Sequence, residues 1–148
     1  MNQDEKSAIL VVDDDPSVLE STSRLLSAFG YLVFSYGNAT DALMKLQENN
    51  VRVVLTDVMM PEVTGLQFLE ELRSFNSEIP VIMMTAYAEM DMTIDAIRKG
   101  AFDFLLKPFK PEYLAHSVKK AIDHYRLKDF EKNYLSTLEK PWKAEHGN

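Results

Sequence analysis

Short apolar runs alternate along the chain with segments in which apolar residues recur at helical spacing. The runs predict five strands, at residues 8–12, 31–36, 53–56, 81–84 and 104–106. Most of them lack the alternation of a half-buried strand, which is typical of strands covered on both faces. Strands that alternate with helices indicate the α/β class. Right-handed crossovers then leave chiefly a doubly wound, five-stranded parallel sheet with five helices.

The helical segments begin and end at residues suited to those positions. The first has Asp15 as its N-cap, Pro16 in its first turn and Gly30 at its end. Similar residues bound the other helices, at Asn38, Gly65, Gly100 and Pro111. Strands and helices therefore alternate without interruption from residue 8 to the fifth helix.

The fifth helix is predicted to be longer than the sheet that it covers. Its apolar pattern continues to Leu138, with no breaker before Pro141. The 30 residues of 111–140 would span about 45 Å, against roughly 17–20 Å for a typical strand. We therefore expect one domain at 1–126 and a helical extension at 127–140 that serves as a connector or a dimer helix. A helix that folds back or frays is the alternative, and residues 141–148 are expected to form a mobile tail.

The composition is that of a single globular domain. The chain has 148 residues, of which 46% are hydrophobic and 26% charged, and this excludes a disordered or fibrous protein. The absence of cysteine excludes disulfide frameworks and thiolate chemistry. The N-terminal residues are acidic rather than basic, and no apolar run approaches the ~20 residues of a membrane span. We expect a cytoplasmic protein with no membrane partner.

The net charge of −7 is unevenly distributed. Residues 1–97 hold 5 Lys and Arg against 16 Asp and Glu, whereas residues 98–148 hold 11 against 7. An acidic body repels phosphate backbones, so direct binding of nucleic acid is not expected. The basic C-terminal third is interpreted as a solvated helix with charges of both signs.

Acidic residues follow two of the predicted strands. Asp13, Asp14 and Asp15 come after the first strand, and Asp57 follows the third. Because the carboxyl ends of parallel strands meet at one edge, at least three carboxylates would converge there, and their repulsion is unfavourable unless they share a cation. Oxygen-only ligands favour a hard ion, and Mg2+ suits the small number of ligands better than Ca2+. A lone acid at such a position is usually a helix cap, which fits Asp15 but not the other three.

Thr85 and Lys107 end the fourth and fifth strands at the same edge. A lysine in this position could extend into solvent. Here it would face a carboxylate and a metal, which is what a phosphate site requires. Phosphoryl transfer needs mainly positioning and charge neutralisation, which a divalent ion, an ammonium group and a hydroxyl donor supply. We predict Asp57 as the nucleophile that forms an acyl phosphate.

Taken together, these residues resemble the receiver domain of two-component response regulators, the CheY-like phosphoacceptor module, over about residues 7–126. Each motif is weak alone, but in this order and at strand ends the set is specific. One departure is Thr64-Gly65, where the family often has Asp-Gly; the glycine needed for the turn is kept. The motifs are Val11-Val12-Asp13-Asp14, Asp57-Val58-Met59-Met60-Pro61 with Gly65, Thr85-Ala86 and Lys107-Pro108-Phe109.

The resemblance implies a flavodoxin-like fold with strand order 2-1-3-4-5, and phosphorylation of Asp57 by the phosphohistidine of a histidine kinase or phosphotransfer protein. It implies Mg2+ on Asp14, Asp57 and the backbone carbonyl of Met59, with Asp13 acting mainly through water. Such a protein is a phosphoacceptor that assists its own phosphorylation and dephosphorylation, not a dedicated enzyme.

The resemblance also implies a conformational switch. It assigns Thr85, Ala86 and Lys107 to the phosphoryl group and Phe104 to the family's switch aromatic, with an ordinary core aromatic as the alternative. Phosphorylation would bias the face formed by the fourth helix, fifth strand and fifth helix, which acts on an output domain or effector. The segment before Lys107 looks more like receivers attached to sigma-54 activators, cyclic-di-GMP phosphodiesterases or kinases than like the winged-helix class. A homodimer is a further expected assembly.

Two side chains bear on the lifetime of the phosphoryl group. Met59 and Tyr87 stand two residues after Asp57 and Thr85, and neither offers an acid or amide to orient an attacking water. Slow self-dephosphorylation is the resulting hypothesis.

Two other functions are weighed against this one. A haloacid-dehalogenase type phosphohydrolase would use Asp13 and Asp15 as its nucleophile and acid/base pair. It would lack a further acidic pair after Lys107 and would leave Asp57 unexplained. A degenerate receiver that serves only as an interaction module is disfavoured because the whole acceptor set is present.

Overall fold

The computed structural model describes residues 7–48, 51–75, 78–86 and 90–146. Five strands and five helices alternate along the chain. The strands are β1 (Ala8–Val12), β2 (Leu32–Tyr36), β3 (Val51–Asp57), β4 (Val81–Thr85) and β5 (Asp103–Leu106). The helices are α1 (Pro16–Ala28), α2 (Ala39–Glu48), α3 (Gly65–Phe75), α4 (Met90–Arg98) and α5 (Pro111–His146).

The strands form one parallel sheet in the order β2-β1-β3-β4-β5, which confirms the predicted doubly wound α/β fold. In the register, Val12 lies beside Thr56 and Asp57 lies beside Met84. The carboxyl ends of β1, β3 and β4 therefore reach the same edge of the sheet.

Two apolar layers cover the sheet. On one face, α2, α3 and α4 contribute side chains such as Leu46, Phe68 and Ala96. On the other face, Leu26 of α1 and Leu114 of α5 pack over the sheet. Burial on both faces explains why the strand sequences are continuously apolar.

The strand ends fall within two residues of the sequence prediction, and the start of β3 shows one such difference. This strand begins at Val51, two residues before the predicted start, because Val51 pairs with Ala8 and carries Arg52 into the strand. The guanidinium of Arg52 lies 5.0 Å from the ring centroid of Tyr125 on α5, so a cation–π contact accommodates a charged residue there.

The predicted N-cap of α1 is confirmed. The carboxylate of Asp15 accepts hydrogen bonds from the backbone N–H groups of Ser17 and Val18, and Pro16 opens the helix. Gly30, which follows the helix, has φ +98°, in the left-handed region that favours glycine.

Helix α5 corrects one prediction. It begins at Pro111 as expected but continues through Pro141 to His146, so the predicted end at residue 140 is wrong. Proline removes one N–H donor while keeping a helical φ, so it need not end a helix of 36 residues. Gly147 and Asn148, the rest of the predicted tail, lie outside the described residues. Within the described ranges, no helix has both the length and the apolar character needed to cross a membrane.

Candidate functional site

Four strand ends bring the predicted site residues together. Asp13 and Asp14 follow β1, Asp57 is the last residue of β3, Thr85 is the last residue of β4, and Lys107 follows β5. The amide of Lys107 donates a hydrogen bond of 2.7 Å to the carbonyl of Thr85, which holds the ends of β4 and β5 together. The Lys107–Pro108 peptide is cis.

Three carboxylates meet at this edge. Asp13, Asp14 and Asp57 each offer a carboxylate oxygen, and these oxygens lie within 4.8 Å of one another. Asp13 is fully buried and Asp57 is 8% exposed, whereas Asp14 is open to solvent. The cluster therefore lies in a shallow depression with one side open to water.

Among the described residues, Lys107 is the basic side chain that contacts these carboxylates. Its Nζ lies 2.7 Å from Oδ2 of Asp13 and 3.6 Å from Oδ1 of Asp57. The ammonium group thus bridges the two buried carboxylates and neutralises part of their charge. With one lysine against three carboxylates, the immediate site carries an excess of negative charge.

The pKa of the Asp57 carboxyl is raised above its ordinary value of 3.8, first because the group is partly desolvated by burial. Lys107 opposes the shift, the charges of Asp13 and Asp14 add to it, and a backbone hydrogen bond from Met59 opposes it. A second cation at the site would counteract both the desolvation and the carboxylate repulsion.

The loop after Asp57 brings α3 close to the backbone of the acceptor. The amide of Gly65 donates a 2.8 Å hydrogen bond to the carbonyl of Val58. A Cβ at position 65 would collide with the carbonyl oxygen of Asp57 and would lie 2.8 Å from Cα of Val58. Only glycine fits this approach. Glu62, in the same loop, has φ +69°.

The remaining predicted residues differ in their exposure to solvent. Thr85 is buried and Ala86, which follows it, is exposed. Met59 is 53% exposed beside Asp57. Phe104 is half-buried and packs against the apolar layer of α2, α3 and α4. Tyr87 lies outside the described residues.

Asp15 does not join the cluster. One of its carboxylate oxygens caps α1, and its backbone N–H donates to Oδ1 of Asp13 at 2.9 Å. A residue committed to the helix cap is poorly placed as the acid/base group that the phosphohydrolase alternative requires.

The donor set fits a hard divalent ion. Among the described residues the cluster consists of three carboxylates without histidine or cysteine, which are ligands that Mg2+ prefers, and the open side leaves room for water. Asp13, Asp14 and Asp57 are the residues that could hold such an ion.

A groove adjoins the site on the side of α1. Its volume is about 410 Å3 and its lining is mostly apolar. Because Lys107 forms part of its wall, the groove opens directly beside the carboxylates. It is lined by Val18, Ser21 and Leu25 of α1 and by Ala86, Pro108 and Phe109.

A polar contact that the sequence patterns did not predict lies at the far end of β5. The hydroxyl of Ser117 on α5 donates a 2.6 Å hydrogen bond to the carboxylate of Asp103. The available signal was a serine on the apolar face of α5, between Leu114 and Val118, where a hydroxyl needs a partner.

The model of the response regulator receiver domain matches residues 9–119. The chain therefore belongs to this family. Receiver domains are signalling domains of two-component systems rather than dedicated enzymes. Phosphorylation is their general switch, and they bind Mg2+ at an acidic pocket of the kind described above.

Relatives and solved structures agree with this assignment. The transcriptional regulatory protein ZraR of Klebsiella oxytoca is 39% identical over 125 residues, which are 84% of this chain and 28% of that protein. A receiver domain protein from Clostridium thermocellum superposes with a TM-score of 0.78 at 32% identity, covering 82% of this chain and 98% of that one. The beryllofluoride-activated NtrC4 receiver domain dimer gives 0.76 at 33%, covering 80% and 98%. The chain spans less than a third of the length of its curated relatives.

Proposed function

We propose that this chain is switched by phosphorylation of Asp57, with the phosphohistidine of a histidine kinase or phosphotransfer protein as the donor. One observation carries the proposal. The carboxylate of Asp57 lies at the open end of β3, 3.6 Å from the ammonium group of Lys107 and clustered with the carboxylates of Asp13 and Asp14. A nucleophile, a cation and ligands for a second cation thus lie at one point.

The chemistry needs little beyond this arrangement. A carboxylate oxygen of Asp57 forms a bond to phosphorus while the P–N bond to the donor imidazole breaks. The imidazole leaves with the electron pair of that bond and is protonated. The product is an acyl phosphate on Asp57.

Charge neutralisation is the main contribution of the surrounding residues. Asp13, Asp14, Asp57 and the Met59 carbonyl would hold Mg2+, which when bound supplies positive charge for the transferring oxygens. Lys107 supplies a second positive charge, with its Nζ 3.6 Å from Oδ1 of Asp57. The hydroxyl of Thr85 and the amide of Ala86 are the donors assigned to the remaining phosphoryl oxygens.

The groove beside α1 supports a protein, rather than a small molecule, as the phosphoryl donor. Its apolar walls open beside Lys107, so a helix of the donor that packs against Leu25 and Phe109 would carry its histidine toward Asp57. The acceptor oxygens of Asp57 are only partly exposed, so a donor has to approach from the open side near Asp14.

The output surface proposed for the switch is the α4-β5-α5 face. A new phosphoryl group attracts Thr85 and Lys107, and Phe104 on β5 follows the change. Exposed apolar side chains on this face support a contact with an output domain or an effector protein. They are Ile94 and Ile97 on α4, Leu106 on β5 and Tyr113 on α5.

The extension of α5 is proposed as a connector or a dimer helix. Leu127, Phe130 and Tyr134 are each more than half exposed and recur on one side of the helix, and the two aromatic rings lie 6.2 Å apart and nearly parallel. On another side, Lys132 forms an exposed ion pair of 3.1 Å with Glu78 of the domain.

Intact mass after incubation with acetyl phosphate tests the proposal. The expected result is a gain of one phosphoryl group that requires Mg2+ and is lost in Asp57→Asn. Asp41→Asn, at an exposed acid of α2, is the matched control and should gain the group normally. Binding of Mg2+ without any gain would restrict the donor to a kinase. Failure to bind Mg2+ as well would favour the interaction module.

A further inference from the structure

Strand β5 and helix α5 are joined by a polar contact that the phosphoryl chemistry does not use. The carboxylate of Asp103 accepts a 2.6 Å hydrogen bond from the hydroxyl of Ser117 through Oδ2. Through Oδ1 it accepts a 2.8 Å hydrogen bond from the backbone N–H of Phe104. Nζ of Lys120 lies 3.7 Å from Oδ2. We call the contact the Asp103–Ser117 bridge.

The bridge differs in kind from the apolar contacts between β5 and α5. Leu105 of β5 packs against Leu114 and Val118 of α5 in one apolar layer. Apolar packing is non-directional, so it permits a helix to slide by a small distance over a strand. A hydrogen bond restricts both distance and angle. The bridge therefore sets the position of α5 along β5.

Both ends of the bridge are fixed. The bond to Phe104 N–H ties the Asp103 carboxylate to the strand backbone, and Ser117 is only 2% exposed on α5. If the helix moved away from the strand, the buried hydroxyl of Ser117 would lose its partner, which is unfavourable. The bridge thus opposes movement of α5 relative to β5.

β5 also contacts the predicted switch residues: one of its faces carries Phe104, and its carboxyl end leads to Lys107. Phe104 points into the layer shared with α4, opposite to the layer of α5. Lys107, which follows the strand, contacts Asp13 and Asp57. A change at the phosphoryl site therefore enters β5 at Lys107, and the bridge lies at the opposite end of the strand, four residues away.

We propose that Asp103 is a positioning residue that makes β5 and α5 move as one unit, so that a change at the Asp57 site reaches the long helix. The proposal rests on the phosphoacceptor function proposed above and extends it by naming the residues that pass the change to α5. α4, which contacts β5 through the side of Phe104, can then rearrange against this unit.

Amide-resolved NMR of the full chain tests the bridge, with Mg2+ and beryllofluoride as the phosphoryl mimic. The parent should show chemical-shift changes near Asp57 and also along residues 111–126 of α5. Ser117→Ala should keep the changes near Asp57 and lose most of those along α5, because the directional contact is gone. Ser136→Ala, at an exposed serine of the same helix, is the matched control and should respond like the parent.

Two further variants separate positioning from simple loss of stability. Asp103→Asn keeps an oxygen for Phe104 N–H and offers an amide N–H to the Ser117 oxygen, so the response of α5 should be retained in large part. Asp103→Ala, at a side chain that is 30% exposed, should lose it, and this variant remains informative if Ser117→Ala does not fold.

The outcomes distinguish the two proposals. An undiminished α5 response in Ser117→Ala and Asp103→Ala would overturn the bridge while leaving phosphorylation of Asp57 intact. A parent that binds beryllofluoride without any change along α5 would also overturn it. A parent with no change near Asp57 would contradict the phosphoacceptor function itself, and the role of the bridge with it.

Discussion

Replacing Gly65 by alanine is a direct test of the close approach between α3 and the acceptor strand. The added Cβ would collide with the carbonyl oxygen of Asp57, lie 2.8 Å from Cα of Val58 and lie 3.0 Å from Cε of Met83. The methionine side chain can move, but the two backbone atoms belong to the end of β3. Relief therefore requires α3 or the Asp57 loop to shift.

The cost follows from that geometry. Overpacking a well-packed site costs about 1–3 kcal/mol, and backbone neighbours place this substitution near the upper end, at ~3 kcal/mol. With a urea m-value of roughly 1–3 kcal/mol/M, the unfolding midpoint should fall by about 1–3 M. Because the carbonyl of Asp57 itself is displaced, phosphoryl incorporation should fall as well.

Urea denaturation followed by circular dichroism measures the effect, and Gly37→Ala is the matched control. The nearest atom to a Cβ at Gly37 is 4.0 Å away, so that variant should change the free energy of unfolding by no more than ~0.5 kcal/mol. Equal midpoints for the two variants would refute the reasoning, because they would show that the approach at Gly65 is not limiting.

Three other predictions follow from the same region. Because the pKa of Asp57 is raised, its carboxyl holds its proton more tightly in the folded than in the unfolded state, and the free energy of unfolding falls as pH rises above 3.8. Asp57→Asn should therefore stabilise the chain more at pH 7 than at pH 4. A shift in urea midpoint between variant and parent that is the same at both pH values would contradict this. Glu62→Gly should raise the free energy of unfolding by roughly 0.5–1 kcal/mol, because residue 62 has φ +69°. Glu71→Gly, within α3, should lower it by about as much. A change of the same sign in both variants would be inconsistent with backbone strain at residue 62. Met59→Asn combined with Tyr87→Glu should speed loss of the phosphoryl group in a time course of intact mass, and unchanged decay would remove the proposed cause of slow self-dephosphorylation.

The sequence predicted the fold well because burial on both faces leaves a strong pattern. Continuous apolar runs located β1, β4 and the core of β3, and the cap at Asp15 located the start of α1. The errors occurred where a single residue is a weak guide. Arg52 lies in β3 at a shift in the pairing with β1, where its guanidinium contacts the ring of Tyr125, and Pro141 lies within α5 although proline often ends a helix.

The sequence predicted which residues meet at the sheet edge, but not which carboxylate Lys107 contacts most closely. Parallel strand ends account for the meeting of Asp13, Asp14 and Asp57. That Lys107 approaches Asp13 more closely than Asp57 depends on side-chain conformation, which sequence patterns do not encode. The Asp103–Ser117 bridge was missed for a related reason, since its two residues are 14 positions apart and meet only after the helix has packed.

The identity of the phosphorylated residue decides whether Asp57 is the phosphoacceptor. The chain would be incubated with acetyl phosphate and Mg2+, treated with borohydride to reduce acyl phosphates to alcohols, digested and sequenced by mass spectrometry. The account predicts homoserine at position 57, dependent on both Mg2+ and the phosphoryl donor. Reduction at Asp13 or Asp14 instead, with position 57 unchanged, would contradict it.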